Sequence, residues 1–71
     1  SSGELFPELT DRERDVLALL ADDLGTAAIA RRLGLTEKTV YNYVATILAK
    51  LHLTDRTQAA TRAREAGLGG G

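Results

Sequence analysis

The spacing of apolar positions along the chain predicts four helices. Val16, Leu17, Leu20 and Leu24 recur three and four residues apart, the period at which side chains stack on one helix face. Just ahead, Thr10-Asp11-Arg12-Glu13 has the form of a capping box, in which the threonine hydroxyl and the glutamate side chain each satisfy a backbone N–H of the first turn. Pro7 lies outside that start, where it does no harm, and Gly25 is the expected stop. A short second helix is expected from about Thr26 to Leu33, with Ile29, Ala30 and Leu33 facing inward and Gly34 ending it. Leu35 reads as an apolar plug in the turn, and Thr36 as the cap of a third helix with Glu37 in its first turn, where the helix dipole favours negative charge.

The third helix has the clearest pattern. Val40, Val44, Ile47, Leu48 and Leu51 form one stripe, and steps of about 100° per residue put Lys38, Tyr41, Asn42, Ala45 and Ala49 on the opposite side. Asp55 and Gln58 suggest another capped start, for a fourth helix running to about Ala66 before Gly67. Its face of Ala59, Ala60, Ala63 and Ala66 is either packed on the core or used against a partner. No segment alternates as a strand would and no internal repeat is visible, so the expected fold is all-α, a compact four-helix bundle.

Composition narrows the chemistry. The chain has no cysteine and a single histidine, His52, so no disulfide, thiolate site or histidine-based metal site is expected, and no cofactor. His52 reads as ordinary surface. No apolar run approaches the length of a membrane span and no secretory signal is visible, so a cytoplasmic setting is expected. Ser1-Ser2-Gly3 reads as a linker or tag remnant. Residues 1–8 are expected as a flexible N-terminal linker, 9–68 as the domain, and 69–71 as a flexible tail. At 71 residues, stability is expected to be a few kcal/mol at best.

The net charge of −1 speaks against a nucleic-acid partner until its distribution is considered. Residues 1–23 carry seven acids against Arg12 and Arg14, whereas residues 24–71 carry three acids against seven lysines and arginines. An acidic side and a basic side follow, and a basic side suits phosphates. Ordinary surface patterning explains the same numbers equally well.

Thr26 to Leu51 thus reads as a helix, a tight glycine-containing turn and a longer helix. This is the helix-turn-helix arrangement, in which the second helix enters the major groove while the first braces it. Many small helical domains contain such a corner without touching DNA, so periodicity alone leaves both readings open.

The residues go further. Leu9-Thr10-Asp11-Arg12-Glu13-Arg14-Asp15-Val16-Leu17 resembles the opening signature of the LuxR-type (FixJ/NarL-like, GerE-like) helix-turn-helix family. So do Ile29-Ala30-Arg31-Arg32-Leu33, Thr36-Glu37-Lys38-Thr39-Val40, Ile47-Leu48-Ala49-Lys50-Leu51 and Asp55-Arg56-Thr57-Gln58-Ala59. The likeness spans roughly Leu9 to Leu68. It implies a DNA-binding output domain of a response regulator or autoinducer-responsive activator, acting on double-stranded promoter DNA. An N-terminal receiver or ligand-sensing domain is implied in the full-length protein, as is a homodimer through the fourth helix. By the same resemblance, Lys38, Tyr41 and Asn42 occupy base- or groove-contacting places. Thr10, Thr26, Thr39, Tyr43, Thr46 and Lys50 occupy backbone-contacting ones, and Asp55, Arg56, Ala59, Ala60 and Ala63 would line the dimer helix.

Side-chain chemistry agrees in part. Lysine can bond guanine acceptors and asparagine can pair bidentately with adenine, although Lys38 and Asn42 would serve equally as solvated polar residues. The Thr39 hydroxyl suits a phosphate or a helix cap, and Tyr43 is expected to pack its ring while its hydroxyl reaches outward. The chain departs from the family pattern at Tyr41, where lysine is common, at Ala45, and at Ala27 and Ala28. Fewer cations mean fewer released counterions and weaker binding. Three other readings stand beside the regulator. One is region four of a sigma factor, against which the alanine-rich fourth helix argues. Another is a protein-interaction module with a degenerate helix-turn-helix. The last is an enzyme, for which no nucleophile with its base, carboxylate pair or phosphate loop is visible.

Overall fold

The computed structural model describes residues 5–70. Four helices follow one another: α1 (Asp11–Ala21), α2 (Thr26–Leu33), α3 (Glu37–Leu51) and α4 (Arg56–Glu65), and no strand occurs among the described residues. The capping box at Thr10 forms as the sequence predicts: Glu13 N donates to Thr10 Oγ1 at 3.1 Å and Thr10 N to Glu13 Oε1 at 2.8 Å. Thr36 and Asp55 cap α3 and α4 in the same way, accepting from Thr39 N and Gln58 N. Gly25, which was expected to end α1, instead precedes α2 as its N-cap.

The reason lies in how these helices stop. All four end with one residue in the left-handed region followed by a leucine: Asp23-Leu24, Gly34-Leu35, His52-Leu53 and Gly67-Leu68. In each case the leucine N–H reaches back five residues, to the carbonyls of Leu19, Ala30, Leu48 and Ala63, at 2.9–3.1 Å. In each case the leucine side chain also packs on the core. The hydrogen bond satisfies a carbonyl that the helix leaves open, and the leucine contact fixes the exit direction. Glycine enters the left-handed region without penalty, as at Gly34 with φ 70°, whereas Asp23 and His52 enter it with φ 64° and 58° at some steric cost. Because Asp23 does the work expected of Gly25, α1 stops at Ala21, three residues before the end of its stripe, and Leu24 joins the core from outside the helix.

The core is built from Val16 and Leu17 of α1, Ile29 of α2, Val40 and Ile47 of α3, and Ala59 and Ala63 of α4, all with 0% exposure. Alanines let α4 lie close to α1, and Arg64 crosses between them, Nη1 donating to Ala21 O at 3.1 Å. Both flanks expected to be flexible carry contacts. Phe6 packs against the core and its carbonyl accepts from Arg14 and Leu9. At the other end Gly70 N donates to Asp22 Oδ1 at 2.6 Å. A side chain at position 69 would lie 2.9 Å from Ala21 Cβ, so only glycine fits so close to α1. Residues 1–4 and 71 lie outside the described range, and with them half of the expected N-terminal linker.

Candidate nucleic-acid interface

The helix α3 stands as a ridge. Its inner stripe is buried as expected, except that Leu48 is only partly covered, and Lys38, Tyr41, Asn42, Ala45 and Ala49 are all exposed. A groove runs along each side of this strip. On the α1 side it is lined by Glu13, Thr39, Asn42, Tyr43 and Thr46. On the other side it is lined by Thr26, Tyr41, Val44, Ala45, Leu48 and Arg56, from α2, α3 and α4. The tertiary fold therefore brings seven of the nine sequence-predicted contact residues to α3 itself, and places Thr26 beside it across the second groove.

The local chemistry differs from residue to residue. Thr39 is not the cap. Thr36 takes that role, and its hydroxyl donates to Thr39 Oγ1 at 2.9 Å, so the Thr39 hydroxyl keeps its own hydrogen to offer elsewhere. Tyr43 packs its ring against the core. Thr10 has its hydroxyl engaged at the start of α1. The hydroxyl oxygen of Thr26 accepts from Arg56 Nη1 at 2.9 Å.

Lys50 has a partner within the chain. Its Nζ donates to Glu13 Oε1 at 2.8 Å, the same oxygen that completes the capping box. The Glu13 carboxylate is 5% exposed. The hydrogen bond from Lys50 holds it below the usual glutamate range, against the opposing effect of burial, with the Thr10 N–H helping. Lys50 thus pins α3 to α1, and its charge is met inside the protein.

The assignment of α4 needs correction. Ala59, Ala60 and Ala63 are buried within the chain's own core, so they are not available to a second copy; small side chains were needed for close helix packing. Arg56 ties α4 to the start of α2 through Thr26 and through Leu24 O at 3.2 Å. Asp55 caps α4. The exposed residues of this helix are Thr57, Gln58, Thr61, Arg62, Arg64 and Glu65.

Sequence reasoning counted Arg31 and Arg32 toward charge and the family resemblance, and not as contact residues. Among the described residues, the exposed cations with no carboxylate within ion-pair distance are Arg31, Arg32, Lys38 and Arg62, because Arg12, Arg14, Lys50 and Arg64 meet Asp15, Asp11, Glu13 and Asp23. The adjacent arginines before Gly34 were the only available signal. Among the described residues, no helix is long and apolar enough to cross a membrane.

Comparison with known proteins agrees with this geometry. Residues 7–63 match the family described as bacterial regulatory proteins, luxR family. The transcriptional regulatory protein DesR of Bacillus subtilis is 48% identical over 59 residues, covering 83% of this chain and 30% of that protein. The DNA-binding transcriptional activator DevR/DosR of Mycobacterium tuberculosis is 54% identical over 57 residues, covering 80% of this chain and 26% of that protein. The chain therefore spans less than a third of the length of these relatives. The solved structure of the transcription factor GerE superposes with a TM-score of 0.72 at 37% identity, covering 83% of this chain and 88% of that one. With its sequence matched over most of its length and its four helices arranged as in GerE, the chain belongs to the luxR family of bacterial regulatory proteins.

Proposed function

We propose that this chain is the DNA-binding output domain of a longer bacterial transcription regulator, acting in the cytoplasm with α3 in the major groove of promoter DNA. The observation that carries this reading is the exposed ridge of α3, with unpaired Lys38 on it and a threonine-containing groove on either side. The major groove is about as wide as one helix with its side chains. A ridge seated there would present Lys38 and Asn42 to base edges and the hydroxyls of Thr39 and Thr46 to the flanking phosphates. The small fraction of each relative that is matched supports a receiver or ligand-sensing domain elsewhere in the full protein.

The test is an amide-resonance titration with a mixed-sequence duplex at low and at higher salt. Shifts centred on residues 36–50 that fade with salt are expected. Lys38→Ala is expected to lower the slope of log affinity against log salt by about one, because one fewer counterion is released. Amides of α3 that stay still, while those of α4 respond to protein concentration, would replace this reading with an interaction module.

For a homodimer on DNA, the surface we propose is the outward face of α4. Arg62 and Glu65 lie about one turn apart there, and a two-fold axis would let each pair with the other's counterpart. Sedimentation of the duplex complex with Arg62→Glu should show one protomer per half-site where the parent chain shows two. An unchanged stoichiometry would rule out this face.

A further inference from the structure

Tyr41 is the one large apolar side chain left in the open among the described residues, 70% exposed. It lies one turn before Ala45 and two before Ala49, on the outward strip of α3. The groove beneath it is walled by Val44, Ala45 and Leu48. The only cation in that groove, Arg56, already donates to Thr26 Oγ1 and Leu24 O. The strip therefore carries two chemistries: Lys38 and Asn42 hydrogen-bond, whereas Tyr41 and Ala45 present carbon. Base edges in the major groove offer donors and acceptors for the first kind. For the second they offer one feature, the C5-methyl group of thymine.

Resting on the DNA-binding reading above, we propose that Tyr41, backed by Ala45, is a specificity-determining residue that selects thymine. Its ring packs on the thymine methyl and shields both from water, so the recognised half-site carries an A·T pair where the ring lands. A basic side chain at this position would prefer an acceptor such as guanine O6 or N7. The tyrosine shifts the preference from a charged contact to an apolar one, and the contact is insensitive to salt because no counterion is displaced by it.

The test begins with selection of duplexes bound by this chain from a randomised library. Each thymine of the enriched site is then replaced singly by uracil, which removes the methyl and leaves the pairing edge intact. At one thymine per half-site the affinity should fall about three- to fivefold, as expected for one buried methyl, and the ratio should hold at higher salt. Tyr41→Ala should erase that thymine-to-uracil ratio, whereas Tyr41→Phe should keep it. The exposure of this side chain lets both variants fold, which far-UV circular dichroism checks. Several results would overturn the proposal: no methyl-sensitive thymine, a ratio that survives Tyr41→Ala, or one that disappears in Tyr41→Phe, which would point to a hydroxyl contact. An enriched site whose thymines are insensitive leaves the DNA-binding reading standing and removes only this inference. A library that yields no enrichment removes both.

Discussion

Ala63→Glu is expected to unfold the domain at every protein concentration, because position 63 lies inside the chain's own core with no exposed surface. A carboxylate there would be enclosed by the apolar core, and an unpaired buried charge costs at least about 3 kcal/mol. A domain of this size has a stability of only a few kcal/mol in total, so the loss is comparable to the whole. Urea unfolding followed by circular dichroism at low and high concentration measures it. Thr61→Glu, on the exposed side of the same helix, is the control and should change stability by no more than about 0.5 kcal/mol. A normally folded Ala63→Glu protein with altered self-association would mean that the alanine face belongs to a partner after all.

The second large effect is expected at the α1–α3 pin. Lys50→Met removes the cation that faces Glu13 and leaves a 5% exposed carboxylate with the Thr10 N–H as its remaining partner. Deleting one member of a buried pair costs about 3–5 kcal/mol. The Lys50 side chain is 35% exposed, so water offsets part of this and about 1–2 kcal/mol is expected near neutral pH. The pH dependence carries the sign. Glu13 has a folded pKa below its ordinary value, so its contribution is fully present above the unfolded value of about 4.3 and is lost as pH falls through the folded value. The gap in stability between wild type and Lys50→Met should therefore narrow on the acid side. A constant gap from neutral to acid pH would mean that Lys50 acts through packing of its stem and not through its charge.

Much of the architecture was legible because its signals are local. The capping box at Thr10 and Glu13, the Thr36 and Asp55 caps and the stripe from Val40 to Leu51 all act within one or two turns, and all four helices appear where these signals place them. The outward strip of α3 was legible for the same reason, since 100° steps need no knowledge of the rest of the chain. The end of α1 was not. Asp23 and Gly25 both suit a helix stop, and the choice is decided by Leu24, which must reach the core and bond to Leu19 O. The tail at Gly69 and Gly70 was illegible too, because three glycines carry no side-chain pattern and their contacts are with α1.

Helix positions, caps and the composition of each helix face follow from neighbours in the chain, since backbone hydrogen bonding and side-chain period are short-range. Which faces and charges remain available to a partner was settled only by packing. The alanines of α4 suited either a core or a contact surface, and the close approach of α4 to α1 made them core. The seven bases of the second part of the chain looked equivalent, yet folding brings Lys50 to Glu13 across 37 residues and Arg64 to Asp23 across 41. Arg31, Arg32, Lys38 and Arg62 remain unpaired. Charge pairing over such separations depends on how helices are placed in space, and no local pattern encodes it.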